Sequence, residues 1–129
     1  MLNSVHHIAI ICSDYERSKA FYTNKLGLSV IREVYREARN SYKLDLGLDG
    51  HYIIELFSFP DPPPRPSRPE SCGLRHLAFA TTDVAAMKRT LEDRGVEVEE
   101  IRIDEFTGKQ FTFFADPDGL PIEIYEEGP

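Results

Sequence analysis

The feature that most constrains this chain is that it is written twice. His7-Ile8-Ala9-Ile10-Ile11-Cys12-Ser13-Asp14 is matched, 69 places further on, by His76-Leu77-Ala78-Phe79-Ala80-Thr81-Thr82-Asp83. After each Asp comes a helical stretch that ends in glycine, Gly27 or Gly95. Each half then closes on a related phrase, Asp49-Gly50-His51-Tyr52-Ile53-Ile54-Glu55 and Asp118-Gly119-Leu120-Pro121-Ile122-Glu123. Agreement of these landmarks in one order identifies a tandem duplication of a half-domain. Between the copies, Pro60-Asp61-Pro62-Pro63-Pro64-Arg65-Pro66-Ser67-Arg68-Pro69 holds six of the nine prolines. Proline lacks the amide donor and fixes φ, so this stretch is an extended, stiff connector and not a helix or central strand. The 129 residues therefore read as a single domain over 4–126, built from half-units 4–59 and 72–126 joined by the connector 60–71.

Each half reads as strand, helix, then three strands, a fold of the α+β class. In the first half the strands are expected at Val5–Cys12, Leu28–Tyr35, Ser41–Leu48 and His51–Ser58. In the second they are expected at Leu74–Ala80, Val96–Ile103, Lys109–Ala115 and Leu120–Tyr125. Tyr42, Leu44, Leu46 and Leu48 alternate with Ser41, Lys43, Asp45 and Gly47, the period of a strand. Ser13-x-x-Glu16 reads as a capping box for a first helix that buries Tyr15, Phe21, Tyr22 and Leu26. The second helix starts near Asp83 and buries Val84, Met87 and Leu91. Gly27 and Gly95 suit the left-handed residue just past each helix.

Composition narrows the function. With 22 acidic against 15 basic residues, the formal charge is −7. A nucleic-acid binder needs a basic face, so nucleic acid is excluded as a partner. No apolar run approaches bilayer length, and the N-terminal residues lack a basic region followed by an apolar stretch, so neither a membrane partner nor secretion is expected. Two cysteines, Cys12 and Cys72, make no disulfide framework, and the expected setting is the reducing cytoplasm.

Four residues carry the chemistry. Each half supplies a His on its first strand and a Glu on its last: His7 and Glu55, His76 and Glu123. Strand alternation places Ile8, Ile10, Ile54, Leu56, Leu77, Phe79, Ile122 and Ile124 on the opposite face, all apolar. The polar four share their own face with Ala9 and Ala78, which are small. That is the pattern of a hollow, packed behind and roomy in front. A lone strand histidine is more often a hydrogen-bonded core residue than a ligand, and a strand-end Glu is usually solvated. Four of them at duplicated positions with one facing reverse that judgement. Imidazole and carboxylate suit a divalent first-row metal, and two of each balance its charge while leaving positions open. His6 and His51 break the duplication and are read as non-ligands, with His6 close enough to touch the ligands. Arg36, Arg39, Lys43, Arg75 and Lys109 are candidate anchors for an anionic substrate. Each reads more simply as a solvated surface charge, and Arg36 and Arg39 as partners of Glu33 or Glu37.

This repeated unit, with His on each first strand and Glu on each last, resembles the vicinal oxygen chelate superfamily, whose best-known member is glyoxalase I (lactoylglutathione lyase). Val5-His6-His7-Ile8-Ala9-Ile10, Cys72-Gly73-Leu74-Arg75-His76-Leu77-Ala78-Phe79 and Asp116-Pro117-Asp118-Gly119-Leu120-Pro121-Ile122-Glu123 carry the resemblance over residues 4 to 126. Tyr35-Arg36-Glu37-Ala38-Arg39 and Pro66-Ser67-Arg68-Pro69 are similar to the small bacterial YaeR-like members. The resemblance implies paired βαβββ units curling into an open barrel-like cleft, the glyoxalase/bleomycin resistance/dioxygenase fold. It implies a divalent transition metal (Zn, Ni, Co, Mn or Fe) on His7, Glu55, His76 and Glu123, and a homodimer. The implied activity is that of a glyoxalase-like lyase or isomerase. Its small substrate has vicinal oxygens, its intermediate is a metal-stabilised enediolate, and Glu123 or Glu55 shuttles the proton. Rival readings are thiol or water addition to an epoxide, a dioxygenase, or a non-catalytic small-molecule-binding module. Bacterial-type glyoxalase I has an Arg where this chain reads Ile10-Ile11-Cys12, and an Asn where it reads Leu56-Phe57-Ser58-Phe59. Both serve glutathione recognition there, so their absence counts against a glutathione adduct as substrate.

Overall fold

Alternating apolar residues build the centre of the first compact unit, Met1–Pro64. The computed structural model describes residues 1–128, and its second compact unit begins at Arg65. In the first unit, β1 (Ile8–Cys12), β2 (Ser29–Arg36), β3 (Ser41–Leu48) and β4 (His51–Ser58) form a four-stranded sheet in the order β1-β4-β3-β2. The first strand lies parallel to the last, and the other pairs are antiparallel. Ladder partners Ile8 and Ile54, Ile10 and Leu56, Leu44 and Leu56, and Leu46 and Ile54 put the aliphatic side chains on one face. Leu44, Leu46, Ile54 and Leu56 are wholly buried. Burying each contributes roughly 1.5–3 kcal/mol. Asp49 and Gly50, both at positive φ (50° and 79°), make the tight turn between β3 and β4.

The helix α1 (Tyr15–Ala20) runs on into a π-helical turn, Phe21–Lys25. Its cap is Asp14 and not the expected Ser13: the Asp14 carboxylate accepts from the Arg17 amide at 3.2 Å. The expected box is one residue out of frame, because the repeat's Asp, not the serine before it, ends the strand-to-helix turn. Tyr15, Phe21 and Tyr22 are buried as expected, but Leu26 is only half-buried. The wider π turn rotates it off the core, and Leu28 fills the buried place.

The second unit repeats the order. Here β5 (Leu77–Thr81), β6 (Arg102–Ile103), β7 (Gln110–Ala115) and β8 (Pro121–Glu126) form the sheet β5-β8-β7-β6, with β5 parallel to β8. Asp83 caps α2 (Val84–Asp93), accepting from the Ala86 amide at 2.9 Å. Val84 and Leu91 are buried and Met87 is half-buried. Gly27 and Gly95, at φ +81° and +83°, take the left-handed conformation expected of them. Several boundaries shift, those at Tyr35, Ala80, Lys109, Leu120 and Tyr125 by one residue. The strands foreseen from Val5 and Leu74 begin only at Ile8 and Leu77. The strand foreseen over Val96–Ile103 shrinks to Arg102–Ile103. Side chains take the backbone bonds that a strand neighbour would have made. Lys88 Nζ donates to the carbonyls of Val98 and Glu99 (3.1 and 2.8 Å), and the Thr112 hydroxyl also donates to Glu99 (2.8 Å). The first strand after α1 begins at Ser29 instead of Leu28.

A carboxylate ties α1 to β2. Glu33 accepts from Lys19 Nζ at 2.8 Å and from the Tyr15 hydroxyl, while the Tyr15 ring stacks on Tyr42 at 4.3 Å. The hydrogen bonds from Lys19 and then Tyr15 hold the Glu33 carboxyl below its ordinary value of 4.5. Burial, followed by the hydrogen bond to Glu33, pushes the Tyr15 phenol up.

Two outcomes are expected. A carboxyl whose pKa is lower folded than unfolded stabilises fully above the unfolded value, and that stabilisation is lost as pH falls through the folded value. Urea denaturation between pH 7 and pH 3 should therefore show the wild type losing stability below about pH 4.5 more steeply than Glu33→Gln. Ile54→Ala should cost about 2–5 kcal/mol in the same assay, whereas Ile103→Ala, on a residue 58% exposed, should stay within about 0.5 kcal/mol.

Candidate functional site

Each unit brings one His and one Glu together by the same device. His7 lies immediately before β1, and Glu55 sits in β4 opposite Ala9 in the parallel ladder. His7 Nε2 stands 3.7 Å from Glu55 Oε1. In the second unit His76 lies immediately before β5, Glu123 is opposite Ala78, and His76 Nε2 stands 3.4 Å from Glu123 Oε1. Both histidines thus precede their strands by one residue, where they were expected on them. Side-chain exposure repeats as well: 35% and 15% for the first His–Glu pair, 28% and 14% for the second.

The two separations exceed the 2.7–3.2 Å range of an N–H···O hydrogen bond. They match instead the spacing of two donors on one ion. With bonds of about 2.1 Å at a tetrahedral angle, the donor atoms lie about 3.4 Å apart. Nitrogen and oxygen donors of this kind suit a divalent transition metal. Among the described residues no group of three or more His, Cys, Asp or Glu side chains is gathered as a metal cage, so the four expected ligands form two pairs. His6 lies beside the first pair, its Nδ1 2.9 Å from His7 Nδ1, and both imidazoles pack against the Tyr52 ring (5.2 and 5.0 Å). His51 opens β4 and is exposed. Cys12, buried, and Cys72, exposed, form no disulfide.

Around these matching pairs the two units differ. In the first, Asp45 is the ladder partner of Glu55 and is almost wholly buried. Lys43 bridges the two carboxylates, 2.6 Å from Asp45 Oδ1 and 3.1 Å from Glu55 Oε2. The Tyr52 hydroxyl donates to Asp45 at 2.7 Å and lies 3.3 Å from Glu55 Oε2. Burial alone would raise the Asp45 carboxyl. The hydrogen bonds from Lys43 and Tyr52, with the charges of Lys43 and Arg32, outweigh it and hold the carboxyl low. The hydrogen bond to Asp45 raises Lys43 despite burial. Burial and then Asp45 raise the Tyr52 phenol.

In the second unit the ladder places of Asp45 and Lys43 are taken by Phe113 and Phe111. The His76 ring meets Phe113 edge-on at 5.1 Å, and the Arg102 guanidinium lies over both phenylalanines at 5.0 and 5.5 Å. Sequence reasoning missed Asp45 and Tyr52 as site residues. Their signal was the alternation in β3, which puts Lys43 and Asp45 on the face of Glu55 once β3 is known to flank β4.

The expected anion anchors sort accordingly. Lys43 is committed to its two carboxylates, Arg75 pairs with Glu70 at 2.6 Å, and Lys109 is exposed. The pairing expected of Arg36 and Arg39 with Glu33 or Glu37 does not form; Lys19 and Tyr15 occupy Glu33.

Removing the ammonium of Lys43 leaves two carboxylates facing each other without a cation. Lys43→Met should therefore destabilise by about 1–3 kcal/mol at pH 7. The double variant Lys43→Met, Asp45→Asn should regain part of that loss in a double-mutant cycle read by urea denaturation.

The Glyoxalase/Bleomycin resistance protein/Dioxygenase superfamily matches residues 4–124. The chain is 63% identical to the uncharacterized protein YwkD of Bacillus subtilis (strain 168), over 98% of this chain and 99% of that one. It is 62% identical to the uncharacterized protein YaeR of Escherichia coli (strain K12), over 98% of both. More distantly, Glyoxylase I 4 of Arabidopsis thaliana is 30% identical over 95% of this chain and 70% of its own length. The crystal structure of SMU.1112c superposes with a TM-score of 0.92 at 49% identity, covering 98% of this chain and all of that one. Two four-stranded sheets, each with its His–Glu pair, and a match over nearly the whole length lead to one conclusion: the chain belongs to the Glyoxalase/Bleomycin resistance protein/Dioxygenase superfamily.

Proposed function

We propose that this protein is a metal-dependent, glyoxalase-like enzyme that moves a proton beside a carbonyl in a small substrate with vicinal oxygens. In this reading residues 4–126 work as one domain, and His7, Glu55, His76 and Glu123 are the ligands of one divalent transition metal. The observation that carries it is the spacing of the donor atoms, 3.7 and 3.4 Å, repeated in both halves. Membership of the superfamily and the relative named Glyoxylase I support it. When bound, such a metal supplies Lewis-acid stabilisation of negative charge on a substrate oxygen.

The two glutamates then divide the work. Glu55 is tethered on its second oxygen by Lys43 at 3.1 Å, with the Tyr52 hydroxyl at 3.3 Å. Glu123 has no such tether. Its ion pair is with His76 alone among the described residues, and its ladder partner is Phe113. A carboxylate that carries a proton between two carbons must swing, and Glu123 is the one free to do so. Glu55 is the positioning residue, fixed by its cation.

Metal analysis tests the ligand set. Purified protein should hold stoichiometric divalent metal, and His7→Ala and His76→Ala should each reduce it to trace levels; retention of full metal by either variant overturns the assignment. A mixture of His7→Ala and His76→Ala chains that regains metal would show that a homodimer completes the set. Proton transfer is read by NMR as deuterium uptake from heavy water into small α-hydroxycarbonyl compounds. Glu123→Gln should slow that exchange by about 10²–10⁴-fold, with metal content reduced less than in His76→Ala.

A further inference from the structure

Arg36 packs on aromatic rings as Arg102 does, but, among the described residues, without an ion pair like the one Arg102 makes with Glu99. It ends β2, and its guanidinium lies over the ring of Phe57 at 4.8 Å and near that of Phe59 at 5.7 Å. Those two rings are stacked, with centroids 5.6 Å apart and planes 20° apart. Nη2 of Arg36 donates to Ser41 Oγ at 3.0 Å, and Ser41 is itself wholly buried. Nε of Arg36 is buried with no hydrogen-bond partner among the described residues. No ion pair among the described residues includes Arg36. Arg39, in the short 3₁₀ turn that follows β2, brings a second guanidinium to 6.0 Å from the Phe59 ring, also without a carboxylate partner.

Two guanidiniums thus converge on one aromatic platform in a chain whose net charge is −7. The chain has twenty-two acidic residues, and among the described residues none forms an ion pair with either arginine. Cation–π contact offsets only part of the desolvation of a half-buried charge. A bound anion would offset the rest of that cost. With Nε closed off and Nη2 on Ser41, Arg36 has Nη1 left for an oxygen of a carboxylate or phosphate, beside the exposed guanidinium of Arg39.

The platform also has a defined relation to the His7–Glu55 pair. Phe57 follows Glu55 by two residues in β4, so both side chains leave the same face of the sheet. Their strand positions are about 7 Å apart. We propose that Arg36 and Arg39 bind the oxyanion end, by charge match a phosphate, of the small substrate whose vicinal oxygens meet the His–Glu donors. This rests on the proposed function. It adds that the substrate is a short phosphorylated molecule. Two positive charges match a phosphate dianion better than a singly charged carboxylate.

The test titrates metal-free protein with inorganic phosphate and, separately, with acetate. Binding is followed by calorimetry and by the NMR signals of the arginine Nε–H groups. Phosphate is expected to bind and to shift the Arg36 signal. Arg36→Lys, which keeps the charge but loses the fork, should weaken binding at least tenfold, and Arg39→Gln several-fold. Acetate should bind at least tenfold more weakly than phosphate. Circular dichroism checks that the variants fold; Arg39 is exposed, so its replacement keeps the test open if the Arg36 variants unfold. The proposal is overturned if phosphate leaves the Arg36 signal unmoved, or if the folded variants bind it as the wild type does. Equal binding of acetate overturns the phosphate assignment. Because the protein is metal-free throughout, failure of the metal reading leaves this titration standing, and failure of the titration leaves the metal content unaffected.

Discussion

The parallel pairing of the first strand of each unit with its last is the constraint on which the rest depends. It sets Ala9 against Glu55 and Ala78 against Glu123, and so brings a histidine from the start of each unit to a glutamate near its end. The same register sends Ile8, Ile10, Ile54 and Leu56 to the other face, with Leu77, Phe79, Ile122 and Ile124 as their counterparts. One set of ladder bonds thus fixes both the core and the site. A slip by a single residue would turn Glu55 into the aliphatic core and Ile54 out of it, and both displacements are strongly unfavourable. The burial of Ile54 and Leu56 is therefore what holds Glu55 in place.

Helix placement follows from the same economy. Parallel neighbours need a crossover, and in both units the chain supplies a helix and two further strands between them. Asp14 and Asp83, equivalent in the repeat, cap those helices by accepting a backbone amide three residues on. The helix in the first unit is tied down further by Glu33, whose partners Lys19 and Tyr15 both come from α1.

The sequence carried the parts of this that repeat. Both sheets, both helices and both His–Glu pairs were legible because a pattern seen twice, with apolar residues at alternate positions, leaves few competing foldings. The ends of β3 and β4 were read correctly because Asp49-Gly50 turns the chain sharply between them. What was not legible lies where side chains replace the backbone pattern. Lys88 and Thr112 satisfy carbonyls along 98–99 and shorten β6, and the π turn displaces Leu26. Asp45 was hidden for a related reason: an acidic residue in a strand reads as solvated until its neighbours, Lys43 and Tyr52, are known to enclose it.

Divergence between the copies makes the two His–Glu pairs chemically different. Had the duplication stayed intact, the two glutamates would be equivalent and nothing would select one as the moving base. Replacing a Lys–Asp pair on one side by Phe111 and Phe113 on the other breaks that equivalence, with Asp45 and Phe113 directly opposite the glutamates and Lys43 and Phe111 two residues along. On the first side a cation fixes the carboxylate; on the second an aromatic wall leaves it without a tether. Arg36 and Arg39 extend the same polarity. The platform proposed to take an anion lies in the unit with the tethered glutamate. Each set has neighbours of its own: Arg102 lies over Phe111 and Phe113 and Tyr125 stacks on Phe111, while Arg32 and Tyr52 reach Asp45. Each half thus keeps its own packing around its glutamate.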